Sequence, residues 1–273
     1  MTIIYKSRFL TWGEVWFDNE PDHLRVDCMR YMERRTPVPG TRTTDFFTYI
    51  VDLQPSPEQL MANLKGDTAR KIRRAQEQDK IICEYRDPRD SAFMNQFEGL
   101  FNAFAAIKGI TPLQRPRLEG MAAAGVLDFA VAKDPNGDVL VYHANYRDKE
   151  RVSGLYSISL FRKLDDSAAR NKISRANCLL TWTDFMHYKE LGARSYDFGG
   201  WHQQGTDPAM VSVNRFKTNF NGRVLHEYQC EKILTLKGWI FLRAAVLLKR
   251  ARLFPSRHHT HLVPAEAQTS PAC

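Results

Sequence analysis

The sequence predicts an α/β (α+β) fold: a mixed sheet with helices on both faces. Two observations carry this. Strand-like and helix-like stretches alternate in the order β-α-β-α-α, then three strands in a row, then α-β-α-β. Three consecutive strands make an antiparallel meander, and a helix leading into a further strand adds a crossover to the same sheet. The chain is also long enough, at 273 residues, to bury a substantial core.

The elements follow in chain order. The first 45 residues read irregularly: "TWGEVWF" has strand character, "DHLRVDCMRYMERR" suits a helix or a strand, and "TPVPGTRTTD" is a Pro/Gly/Thr loop. "FFTYIVDL" (46–53) is aromatic and β-branched, hence a strand. "SPEQLMANLKGDTARKIRRAQEQ" reads as one helix, with Ser56 as N-cap, Pro57 at the first helical position and Gln59 completing a capping box. "IICEYRD" is a short strand, and helices follow around 92–107 and 115–124. "VLDFAVA", the turn "DPNGD" and "VLVYHANYRD" form a hairpin that "RVSGLYSISLF" extends. "ISRANCLLTWTDFMHYKEL" is a helix that Gly192 closes. "SYDFGG", a polar loop, a short helix near 213–220 and the strand "RVLHEYQCEKILTL" come next. A basic apolar helix and the segment "SRHHTHLVPAEAQTSPAC", disordered by composition, end the chain.

Composition is that of a soluble globular protein, with 43% hydrophobic and 26% charged residues. A net charge of +8 favours polyanionic partners: nucleic acid, phosphorylated substrates or an anionic membrane surface. Five scattered cysteines without a C-x-x-C argue for a reduced, cytoplasmic protein with neither disulfide framework nor zinc cluster. No apolar run reaches the ~18–20 residues that span a bilayer; the longest, "GWIFLRAAVLL", is interrupted by Arg243. From Lys237 to Arg252 the chain has five basic and no acidic residues, a pattern suited equally to an interfacial helix on an anionic membrane and to a helix docked on the body or on a second subunit, as in a homodimer.

Three stretches carry a resemblance: the strand followed by "SPEQL…RKIRRA", the helix "LLTWTDFMHYKELGA" running into "YDFGG", and "NRFKTNFNGRVL". In this order and spacing the chain resembles the GNAT acyltransferase superfamily, and more narrowly the FemAB-type transferases of peptidoglycan cross-bridge assembly. The resemblance covers about 46–236. It implies a GNAT-like, mostly antiparallel sheet over 46–236, an N-terminal extension packed on it (1–45), and a basic amphipathic helix with a disordered tail (237–273). The chain departs from the family in two ways. It has room for about one of the family's two halves and no helical arm for tRNA, and "FRKLDDSAARNKISRAN" stands where ordinary CoA-binding members carry a glycine-rich phosphate loop.

The resemblance implies transfer of an acyl or aminoacyl group from a thioester, acyl-CoA or an acyl-carrier protein, to an amine or hydroxyl. The acceptor would be a phosphorylated, nucleotide-linked or lipid-linked precursor of the cell envelope or of polysaccharide biosynthesis. No metal is implied. Alternatives are an aminoacyl-tRNA donor on the same fold, and a non-catalytic protein that binds nucleic acid or a membrane surface.

The candidate residues follow. Asp197 at the Asp-Phe-Gly-Gly tip orients an acceptor or takes its proton, or else caps its own turn; Gly199, Gly200 and Trp201 lie beside it. Lys217 holds a phosphate or a developing oxyanion, or is a solvated lysine; Asn214 shares its helix. His143, mid-strand on one face with Asn145, is a candidate general base or a structural histidine, and His202 on the polar loop competes with it. Tyr156 donates a proton or lines the acceptor pocket. Arg70, Arg73 and Arg74 share a helix face suited to acceptor phosphates, or form a solvated face. Arg170, Lys172 and Arg175, with Asn177, start the helix after the meander, where the helix dipole adds to the side chains and favours a donor pyrophosphate.

Overall fold

The computed structural model describes residues 2–22, 25–159, 166–203 and 208–253, without the side chains of 245–253. Strands β1 (Ile3–Ser7), β2 (Leu10–Trp16), β3 (Cys28–Arg34) and β4 (Arg42–Asp52) precede helices α1 (Pro57–Ala62) and α2 (Thr68–Glu77). Then come β5 (Ile82–Arg86), α3 (Ser91–Lys108), α4 (Arg115–Ala123), β6 (Leu127–Lys133), β7 (Val139–Arg147) and β8 (Arg151–Ser159). The chain continues through α5 (Ser167–Glu190), β9 (Ser195–Gly200), α6 (Pro208–Thr218), β10 (Arg223–Ile233) and α7 (Leu236–Leu253).

All ten strands join one sheet in the order β1-β2-β3-β10-β4-β9-β8-β7-β6-β5. Pairing is antiparallel except for β2 with β3 and β8 with β9. The expected meander is β6-β7-β8, and the crossover through α5 delivers β9 parallel to β8. Side chains alternate between two faces. On one, Phe129, Tyr142 and Tyr146 pack with Phe97 and Phe101 of α3 and Leu118 and Met121 of α4. On the other, Ala130, Ala132 and Val141 meet Ile72 of α2 and Ile173, Ala176 and Leu180 of α5. Helices therefore cover both faces.

Two sequence expectations change, and one open alternative is decided. The N-terminal residues, expected as an extension packed on the domain, supply three strands of the same sheet. "DHLRVDCMRYMERR", suited to a helix or a strand, yields the strand β3, held between β2 and β10. The single helix expected at 56–78 is two. The Ser56–Gln59 capping box opens α1, with Ser56 Oγ accepting from the Gln59 amide at 3.3 Å. Gly66 at φ 61° then turns the chain before α2. The final segment (254–273) and residues 160–165 and 204–207 lie outside the described residues, as does the expectation of a disordered tail.

Candidate active site

The parallel pairing of β8 with β9 is short. It runs from Arg151 opposite Ser195 to Ser153 opposite Asp197 and stops there. Two glycines sit at the point of divergence. Gly199 has φ 68°, and a Cβ on it would stand 3.0 Å from the Gly154 carbonyl oxygen. A side chain at Gly199 would thus be strained and crowded, so the tip motif bends β9 away from β8. Beyond Gly154 the edge of β8 opens onto a cavity of about 500 Å³, within the range of small-molecule sites. Tyr156 and Leu155 of β8, Phe104 of α3, Ile173 of α5 and Phe198 and Phe216 form much of its wall.

The β7–β8 register shifts between Ala144 and Asn145, where Tyr156 and Gly154 are the respective partners. Leu155 is therefore the extra residue of a β-bulge, unpaired in the ladder and on the cavity wall.

His143 and Asn145 of β7 line the cavity. His143 is 5% exposed; its Nδ1 lies 2.8 Å from Oδ2 of Asp184, and its Nε2 lies 3.0 Å from Oδ1 of Asn177. Asp184 is fully buried on α5, and its other oxygen accepts the Tyr85 hydroxyl at 2.8 Å. With Asp184 accepting Nδ1–H, Nε2 carries the lone pair, and the Asn177 amide must then present its Nδ2–H in place of the Oδ1 that faces Nε2. Asn145 donates to Asp184 at 3.4 Å and accepts from the Tyr196 hydroxyl at 3.0 Å. The network joins β5, β7, α5 and β9 without an unsatisfied member among the atoms named.

Lys217 of α6 closes the other side. It is 6% exposed, and its Nζ donates to the Gly199 carbonyl at 2.9 Å and the Gly200 carbonyl at 2.5 Å. Burial lowers its pKa to about 8, against the opposing pull of Asp197. An ammonium has three N–H groups, and two go to these carbonyls.

The structure thus gathers His143, Asn145, Tyr156, Asn177, Arg170 and Lys217 around one cavity, with Arg170 exposed at its mouth. Other candidates stand elsewhere. Asp197 is fully buried, meets the Thr48 hydroxyl and Arg151, and accepts the Gly199 amide at 2.7 Å. Both its oxygens are taken by the protein, which corrects the expectation that it serves the cleft. His202 is exposed, and its backbone is clasped by Asn214, whose Nδ2 donates to its carbonyl at 2.8 Å. Neither of the pair lines the cavity. Trp201 stacks on Tyr49 at 5.2 Å, away from it. Lys172 pairs with Asp134 at 2.9 Å, and Arg175 is held by both oxygens of Asp79 at 2.5 and 2.8 Å, so these two are structural cations of α5. Arg70 pairs with Asp67 and Arg74 with Gln78 on an exposed face of α2 that Arg73 shares, apart from the cavity wall.

Sequence reasoning missed Asp184, Tyr85 and the Leu155 bulge. Asp184 had a signal: Ser174, Asn177, Thr181 and Asp184 recur at i, i+3, i+7 and i+10 along an otherwise apolar stretch, a polar stripe on one helix face. Tyr85 and the bulge had none, since both depend on partners distant in sequence.

The sheet, its helices and its splayed parallel pair define a GNAT-like α/β fold. Among solved structures, the chain is similar to FemX, with a TM-score of 0.61, 12% identity, and coverage of 89% of this chain and 85% of FemX. L-PGS from Bacillus licheniformis is also similar, at a TM-score of 0.49 and 13% identity over 87% of this chain and 85% of that one. No protein-family model matches the sequence, and no curated protein matches it.

Proposed function

We propose that this protein is an acyltransferase of FemAB type. It moves an acyl or aminoacyl group from a thioester, seated where β8 and β9 part, to an amine or hydroxyl on a cell-envelope or sugar-linked precursor. The fold likeness to FemX supports the class. The observation that carries the reading is His143, backed by Asp184, on the wall of a cavity at the strand split, with the bulge at Leu155 and the buried cation Lys217 lining the same cavity.

The chemistry follows from that placement. The acceptor amine or hydroxyl attacks the thioester carbonyl. Nε2 of His143 takes the acceptor's proton as the bond forms, and Asp184 stabilises the resulting imidazolium. The carbonyl oxygen gains negative charge, which the backbone N–H at the bulge and the remaining N–H of Lys217 would stabilise. Collapse of the tetrahedral species expels the thiolate, which is protonated on leaving. Arg170 at the mouth suits an anionic group of the donor.

The test is thiol release from a panel of acyl-CoAs with amino-sugar nucleotides as acceptors, after a thermal-shift screen has identified binders. His143→Gln keeps a ring-sized polar group but loses the basic nitrogen. Turnover should fall by roughly a hundredfold or more, the usual scale for a general base, with the thermal shift by the donor retained. Wild-type turnover in this variant would sink the assignment.

A further inference from the structure

Helix α7 is apolar on both sides over its first two turns. One side docks. Gly238 approaches the Asp27 carbonyl so closely that a Cβ would stand 2.9 Å from it, and Lys237 donates to Asp27 at 2.9 Å. Phe241 meets Phe9 edge-on at 5.5 Å, and Phe241 and Leu242 pack on the core. The other side has no cover. Leu236 is 73% exposed, Trp239 49% and Ile240 54%, and with exposed Arg243 they recur at i, i+3, i+4 and i+7 on one helix face. Phe9, at the β1–β2 turn, is 74% exposed beside Phe241 on the docked side of the helix.

The chain that forms this face carries charge of one sign. From Lys232 to Arg252 the sequence carries Lys232, Lys237, Arg243, Lys249, Arg250 and Arg252 and no acidic residue. Arg243 lies at the end of the exposed apolar stripe, its guanidinium 5.3 Å from the Trp239 ring.

We propose that this face seats on an anionic lipid surface. Leu236, Trp239 and Ile240 enter the headgroup layer, and Arg243 holds an acidic headgroup. Trp is suited to that depth because its ring is apolar and its N–H is polar. No helix among the described residues is long and apolar enough to cross a membrane, so the contact is in-plane. Charge chooses lipid over the other occupants. A two-fold dimer through this face would set Arg243 near its own copy. A nucleic acid would pair with the cations and leave the apolar stripe in water. This inference stands apart from the cleft chemistry, because its readout is vesicle binding and not turnover.

The test is co-sedimentation of the full chain with phosphatidylcholine vesicles, with and without one quarter phosphatidylglycerol, at low salt. The intact protein should bind the anionic vesicles at least about tenfold more tightly than the neutral ones. Replacing Leu236, Trp239 and Ile240 together by Ser should weaken binding by about tenfold or more, and so should Arg243→Glu alone. All four positions are exposed, so melting temperatures should hold; Arg243→Glu keeps the test valid if the triple variant fails to fold. No binding of the intact protein to anionic vesicles overturns the proposal. So does a dimer that the triple variant dissociates without any vesicle binding, or tRNA binding lost in Arg243→Glu while vesicles are ignored.

Discussion

Lys217 shows how one residue's environment sets what it can do. Its pKa is lowered to about 8 because burial disfavours the ammonium, while Asp197 pulls the other way. The unfolded chain binds its proton up to about 10.4. A folded-state pKa below the unfolded one means that protonated Lys217 weighs against folding below pH 8, and stability from this group rises between about 8 and 10.4. Catalysis runs in the opposite sense. If the ammonium meets the oxyanion, turnover should fall as pH rises through about 8. Lys217→Ala should lose that descending limb and about a hundredfold in turnover. A descending limb that survives in Lys217→Ala assigns it to another group. Asp197 is the contrasting case. Its strand-tip position and neighbouring glycines suggested a base, but its oxygens serve Thr48, Arg151 and the Gly199 amide. Asp197→Asn should therefore act mainly on stability: it leaves Arg151 short of a carboxylate and should lower the melting temperature clearly. Thiol release by the folded fraction should stay within a few-fold of wild type. A hundredfold loss with an unchanged melting temperature would restore Asp197 to the chemistry.

At the scale of elements, the split between β8 and β9 depends on Gly199. Gly199→Ala places a side chain at φ 68° and 3.0 Å from the Gly154 carbonyl oxygen. The left-handed backbone alone costs roughly 1–2 kcal/mol. We expect a lower melting temperature together with weaker donor binding, since relief of the contact must move one strand. A variant that melts lower but binds donor normally would show that the glycine shapes the turn and not the cavity. Much at this scale was legible in the sequence. The capping box of α1, the meander and the Gly192 stop rest on local chemistry, and local chemistry is written in consecutive residues. The half-dozen cavity residues that sequence reasoning did name lie on regular elements, where alternation or helical spacing fixes their side. The misassigned ones needed long-range partners to be judged. Nothing near Arg175 in sequence announces Asp79, and nothing near Asp197 announces Arg151.

Across the whole molecule, one buried ion cluster ties the N-terminal strands to the split. Arg151 of β8 pairs with Glu227 of β10 through both guanidinium ends at 2.6 and 2.7 Å, with Glu33 of β3 at 3.3 Å, and with Asp197 of β9. Glu33 reaches the cluster because β3 bulges there, with Glu33 at φ 55° opposite the register shift of β10. Three carboxylates around one guanidinium would be unbalanced if all were charged. Burial, and then the Asp197 charge, push Glu33 well above the usual carboxyl range and favour its neutral form. Arg151 then faces two carboxylates, and the Lys217 ammonium is near enough for Asp197 to raise its pKa. This balance makes opposite predictions for two substitutions. Arg151→Met leaves buried carboxylates without a cation and should cost about 3–5 kcal/mol, the scale for breaking a buried pair. Glu33→Gln replaces a neutral acid by a neutral amide of the same shape and should leave the melting temperature near native at neutral pH. The sign of its pH dependence follows from the raised pKa. The stabilising contribution of Glu33 is fully present below its unfolded value and is lost as pH rises through the folded one. Gln does not titrate, so the difference should shift in favour of Glu33→Gln between pH 5 and pH 8. Melting curves of the two variants at both pH values decide the matter. A Glu33→Gln loss as large as that of Arg151→Met, growing with pH, would mean that Glu33 is ionised and that Arg151 balances three charges.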